Sequence, residues 1–202
     1  MQRILKFLAI SLSIAAMMGA DKDQKFAAKP PADYPTHVTQ EKVTIAAVPY
    51  VNDDEIHIAF GKVNPNHFGV LPVLVVIQND TGRALRVDAQ SEFVDASGHH
   101  IEATSPNDTQ YVGSNPKRKD TNIGMGSPIP LPRKKKSGGP LSGWEVAGRG
   151  FAVRMIPAGE SASGFFYFQT RMQPGAKLYL TGLSDAGTGK ELFYFEIPLE
   201  GK

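Results

Sequence analysis

The chain has 202 residues, with 22 Lys and Arg against 20 Asp and Glu and no Cys. A near-balanced charge excludes a general attraction to nucleic acid. The missing Cys excludes a disulfide framework and lipid attachment at a cysteine, so any fold must rest on buried apolar surface alone.

The N-terminus reads as a secretory signal peptide over residues 1–20. Arg3 and Lys6 precede the apolar run Phe7 to Ala16, and small Gly19 and Ala20 stand before polar Asp21-Lys-Asp-Gln. That is the order of basic, apolar and cleavage regions. The apolar stretch is too short for a spanning helix, which takes about 20 residues. Cleavage removes two cations and no acid, leaving 20 basic against 20 acidic side chains. The expected product is an exported protein, periplasmic or extracellular, with no transmembrane segment.

Residues 21–41 read as a flexible tether, because Ala27-Ala-Lys-Pro-Pro-Ala-Asp-Tyr-Pro35 is proline-rich and aperiodic. Strand signals then dominate. Val43 to Val48 is a β-branched run stopped by Pro49. Asn52-Asp-Asp-Glu55 has the spacing of a helix start and Gly61 that of a helix end, so a short helix is expected between them. Val70 to Ile77 is apolar at every position but Pro72 and reads as a strand buried on both faces. The cluster Asn79-Asp-Thr-Gly82 suggests a hairpin returning through Ala84 to Val87. Phe93 to Gly98 closes a further strand, and His100 to Ala103 leaves the turn.

The C-terminal third continues the pattern. Strands are expected over Phe151–Ile156, Ser163–Thr170, Lys177–Leu183 and Glu191–Ile197, separated by Pro157-Ala-Gly-Glu, Gln173-Pro-Gly and Asp185-Ala-Gly-Thr-Gly189. Short strands with turns every ten or so residues indicate an all-β sandwich or barrel. In Phe165-Phe-Tyr-Phe168, alternation sends Phe166 and Phe168 to one face and Phe165 and Tyr167 to the other. One face fills the core. The second needs a cover, expected from part of the 106–143 segment, with Trp144.

That segment, 106–143, is a long loop holding six Pro and six Gly. Loops of this length are functional or disordered. It carries Lys117, Arg118 and Lys119, then Arg133, Lys134, Lys135 and Lys136, against the single acid Asp120. These seven cations are the candidate contact for an anionic envelope surface or an acidic envelope protein.

Three stretches together carry a family likeness: Gly69 to Asn79, Met155 to Phe168, and Gly187 to Pro198. With them the chain resembles a family of uncharacterised exported bacterial proteins, and more loosely is similar to secreted bacterial domains with an immunoglobulin-like sandwich. The resemblance spans roughly residues 42–199. It implies a single immunoglobulin-like two-sheet sandwich with the basic loop inserted, and it supplies no catalytic residues.

Enzymatic and cofactor motifs fail on inspection. Gly187-Thr-Gly-Lys190 lacks the earlier Gly of a phosphate loop, where Ser184 stands. It also lacks the hydroxyl residue after Lys, where Glu191 stands, and a strand follows in place of a helix. Adjacent His99 and His100 point to opposite faces of a strand and do not chelate one ion. No Gly-x-Ser-x-Gly elbow occurs. The expected role is a non-catalytic interaction or structural module without cofactor or metal. The alternatives are an enzyme with a loop-built site and a small-ligand carrier, the latter needing a pocket of at least about 300 Å³.

Overall fold

The computed structural model describes residues 26–112 and 139–199, which hold nine strands, two short α-helices and three single-turn 3-10 helices. The strands form a two-sheet antiparallel sandwich, the all-β architecture that the strand pattern indicates. The first sheet runs β1 (His37–Gln40), β2 (Val43–Pro49), β3 (Leu71–Asn79) and β7 (Ser161–Phe168). The second runs β5 (His100–Glu102), β4 (Leu85–Val94), β8 (Lys177–Asp185) and β9 (Phe195–Pro198). The two-residue β6 (Met155–Ile156) also pairs with β4.

Alternation explains the core between the sheets. Val43, Ile45 and Ala47 of β2 and Val73, Val75 and Ile77 of β3 point one way. They meet Leu85, Val87 and Phe93 of β4 and Leu178, Leu180 and Leu183 of β8. Each large side chain so buried contributes roughly 1.5–3 kcal/mol.

β3 is apolar on its other face too, so the first sheet needs a second cover. Leu74 and Val76, with Phe165 and Tyr167 of β7, pack under α1 (Asp53–Phe60) through Ile56, Ala59 and Phe60. The helix forms where expected. The Asn52 side chain accepts from the Asp54 N–H at 2.8 Å, three acids occupy the first turn, and Gly61 ends it at φ +64°. Leu141, and Val146 of α2 (Trp144–Arg149), complete the cover. The Tyr167 hydroxyl donates to the Val146 carbonyl at 2.7 Å, and burial pushes its pKa up.

Several expectations are corrected. The N-terminal segment is no tether from Phe26 onward: Phe26 and Tyr34 pack against the same apolar cover, Pro31 is buried, and β1 pairs with β2. The ring of Phe26 lies 5.4 Å from that of Phe165, which anchors the segment despite its prolines. β3 and β4 are not a hairpin, since β3 pairs with β2 and β7 while β4 pairs with β8. Residues 80–84 instead turn a corner between sheets. The run Phe151–Ile156 is a strand only at Met155–Ile156, because the chain changes sheets there. The Phe151 N–H bonds to the Phe165 carbonyl of one sheet, and the Arg154 carbonyl accepts from the Val87 N–H of the other. The last strand starts at Phe195, leaving Phe193 and Tyr194 exposed. Trp144 does not cover the aromatic face; it is 72% exposed. Val146 faces inward, and a helix puts the residue two positions earlier on the opposite side.

The signal peptide expected over 1–20 lies outside the described residues.

Candidate functional site

Two connections cross from sheet to sheet along one side of the sandwich. Residues 103–107 leave β5 and reach β7, where the Thr104 N–H bonds to the Tyr167 carbonyl at 2.7 Å. Residues 150–154 run from β7 to β4. Between them β4 lacks a partner strand on that edge: β6 takes Leu85 and Arg86, and β5 takes Glu92 to Val94. The result is a lateral window into the sandwich, a groove of about 730 Å³.

Its inner wall is apolar. Val87 and Ala89 of β4 point inward, with Ala103 and Val153 from the two connections. Phe151 and Phe166 stack at 5.4 Å with 16° between their planes. Gly164 permits this closeness, since a Cβ there would lie 2.5 Å from Phe151 Cα. Ser91 occupies an inward position of β4, opposite Leu180, and is 4% exposed. Its hydroxyl has no hydrogen-bond partner among the described residues. Leaving a buried hydroxyl unpaired costs about 1–3 kcal/mol.

The mouth is polar. Glu92 and Glu102 lie on neighbouring strands, directly paired in register. His100 Nδ1 lies 2.6 Å from a Glu92 carboxylate oxygen. Arg154 is held by Asp88 at 3.3 Å. Glu102 has no ion-pair partner among the described residues. Glu92 and Glu102 border the groove, but they stand in one cross-strand row with Tyr179 and Glu196, on the face of β4 opposite to Ser91 and Phe93.

A bulge shapes the floor. Between Val87 and Gln90 the register of β4 on β8 shifts, and Gly182 sits opposite at φ +81°. A Cβ on Gly182 would fall 2.2 Å from the Asp88 carbonyl oxygen, so this position takes only Gly.

A second depression, of about 460 Å³, lies by the β1–β2 turn. Four of its five charged residues are paired across it, Arg83 with Asp185 at 3.1 Å and Lys190 with Glu41 at 3.3 Å, leaving Lys42. That arrangement clasps the 185–190 turn to the body.

The seven cations singled out in the sequence, Lys117, Arg118, Lys119, Arg133, Lys134, Lys135 and Lys136, lie in 113–138, outside the described residues. The flanks of that stretch are described. Val112 packs against the apolar cover of the first sheet, and Leu141 is buried within it. The window residues were missed in the sequence, although a signal exists. Leu85, Val87, Ala89, Ser91 and Phe93 alternate without a break, and Ser91 is the polar intruder in an apolar series.

No family model matches the chain, and no curated protein matches it. Among solved structures it is similar to a chain titled "X-ray structure of Northeast Structural Genomics Consortium target SoR45", at 13% identity and a TM-score of 0.32. The likeness covers 77% of this chain and 81% of that one.

Proposed function

We propose that this chain is an exported, non-catalytic interaction module of the cell envelope, docking an anionic surface or acidic partner through its two basic runs. The observation that carries the reading is charge segregation along the chain. The described residues hold ten Lys and Arg against sixteen Asp and Glu, a net of minus six. The stretch 113–138 holds seven against one, a net of plus six. Its two flanks, Val112 and Leu141, pack in one apolar cover. Near an anionic membrane each Lys or Arg contributes about 1 kcal/mol. The immunoglobulin-like assignment of the sandwich and the periplasmic or extracellular location belong to the same reading.

The test compares the protein, purified after expression of the full chain, with a variant carrying Arg133→Ser, Lys134→Ser, Lys135→Ser and Lys136→Ser. Both are mixed with isolated envelope fractions at low and high salt. The expected result is salt-sensitive retention that the variant loses. Equal retention of the two proteins refutes the reading.

A second reading, small-ligand binding, is favoured by one observation: the window exceeds the roughly 300 Å³ that a ligand pocket needs, at about 730 Å³.

A further inference from the structure

We propose that the surface met by the basic runs is an anionic lipid bilayer, and that the indole of Trp144 enters its interface as an apolar anchor. The inference rests on the docking reading and deepens it, naming the partner and a second point of contact.

A short helix presents the anchor. Val146 of α2 is buried in the cover of the first sheet, and the residue two positions earlier turns away from it. The Trp144 ring is left largely in water. Ile58 is a second exposed apolar side chain on this cover, while Ile56 and Phe60 of the same helix are buried. An indole suits a water–lipid boundary, because its apolar body leaves water while its one N–H keeps a polar partner.

Charge then selects the kind of bilayer. Gly143 lies against Val63, since a Cβ on it would be 4.0 Å from the Val63 Cγ2. The start of α2 therefore adjoins the end of α1, where Lys62 is exposed and has no ion-pair partner among the described residues. The three acids of α1 occupy its first turn, at the opposite end. Glu145 is the acid beside Trp144, and its carboxylate folds back over Gly143. Arg133 to Lys136 precede Trp144 by eight to eleven positions. Eight residues span at most about 29 Å, so a surface that collects this run has the indole within reach. An acidic protein patch satisfies the cations and leaves the ring in water. A bilayer takes both, because it offers anionic headgroups and hydrocarbon in one surface. Lasting membrane attachment takes two such signals, charge together with apolar burial.

The chain has a single Trp, so its emission reports residue 144 alone. The full chain is mixed, at low and high salt, with vesicles of phosphatidylcholine alone and of phosphatidylcholine with phosphatidylglycerol. With the anionic vesicles at low salt, emission is expected to move to shorter wavelength and to be quenched by lipids brominated on their acyl chains. Neither change is expected with phosphatidylcholine alone, and high salt should reverse both. Trp144→Ala is expected to weaken sedimentation with the anionic vesicles by about five- to tenfold, a part of the burial of one ring. Trp144→Phe should restore most of that loss. The fluorescence of the parent protein needs no variant, so it decides the matter even where a substitution disturbs folding. Vesicle binding with an unshifted and unquenched Trp, or Trp144→Ala binding as tightly as the parent, overturns the anchor while docking by charge stands. No binding to either vesicle overturns the proposal, and retention on envelope fractions then decides the docking reading separately.

Discussion

Asn79 is the residue on which the corner between the sheets turns, and its removal makes the sharpest test of this fold. It is fully buried at the end of β3. Its Nδ2 donates to the carbonyls of Arg83 at 2.7 Å, Ile156 at 3.0 Å and Pro157 at 3.0 Å. Its Oδ1 accepts from the Thr81 N–H at 3.1 Å and the Thr81 hydroxyl at 2.7 Å. One side chain therefore ties the end of β3, the 80–84 corner and the turn after β6. A net hydrogen bond is worth about 1 kcal/mol, and buried groups left unpaired cost more. Asn79→Ala should then lose about 3–5 kcal/mol. For a chain of this size each kcal/mol lowers Tm by about 2–4 °C, so the midpoint should fall by about 10 °C. Urea unfolding should be followed by circular dichroism, since exposed Trp144 is a poor fluorescence reporter of folding. Asn79→Asp adds a sign. A carboxylate facing three carbonyls is disfavoured, so its folded pKa lies above the unfolded value of about 3.9. Relative to the parent, this variant should be least impaired below about pH 4 and progressively worse as pH rises through the folded pKa. A loss under about 1 kcal/mol for the Ala variant, or an Asp variant whose deficit is flat with pH, refutes the role assigned to Asn79.

Three further outcomes follow from the same geometry. Ser91→Ala removes an unpaired buried hydroxyl and should stabilise the unliganded protein by about 1 kcal/mol; destabilisation in urea would mean that the hydroxyl is satisfied. Gly182→Ala should cost more than about 2 kcal/mol, from the positive φ and from the clash with the Asp88 carbonyl, and an unchanged thermal midpoint would contradict the bulge. Hydrogen bonds from the Thr188 N–H, with those from Gly187 and the Arg83 charge, hold the Asp185 carboxyl below its usual range, and the Ser97 hydroxyl does the same for Asp95. Lowered carboxylate pKa values give stability that is present above the unfolded pKa and lost as pH falls through the folded one. Asp185→Asn should accordingly flatten the acid limb of urea midpoints measured between about pH 2 and 6, and an unaltered limb would count against this.

What the sequence made legible was local. β-branched runs marked β2 and β3, and the unbroken apolar pattern of Val70 to Ile77 correctly announced a strand with cover on both sides. Asn52 and Gly61 marked the ends of α1 because caps act within a few residues. Partner choice was not legible. Asn79-Asp-Thr-Gly82 serves a hairpin or a corner equally well, and what decides is a bond from Asn79 to Ile156, 77 positions away. Phe151, Val153 and Met155 alternate as a strand should, yet the run divides between two sheets. Its two ends answer to different partners, Phe165 and Val87. Composition misled at the N-terminus, where prolines suggested a tether. Two rings and one buried proline were enough to dock residues 26–36. The window depends on two connections crossing between sheets, and neither crossing leaves a periodic trace.

The unequal covering of the two sheets confines where this molecule can meet others. The outer face of the first sheet is closed by α1, Leu141, Val146 and the N-terminal segment. The outer face of the second sheet is polar and already paired, with Tyr179 stacked on Tyr194 at 5.5 Å and Lys177 bonded to Glu196. Beside these lie the window at the side and exposed Trp144 and Phe193, and, in sequence between Val112 and Leu141, the basic stretch. That stretch and the described body carry opposite charge. Any anionic partner of the seven cations must compete with the sixteen carboxylate side chains of the described residues. Sparse charge on a short acidic peptide offers little advantage over that internal competitor. A dense anionic surface does, because counter-charges lying within a Debye length of about 8 Å act together. On the proposed docking reading, the charge segregation favours a dense anionic surface over an isolated acidic protein patch.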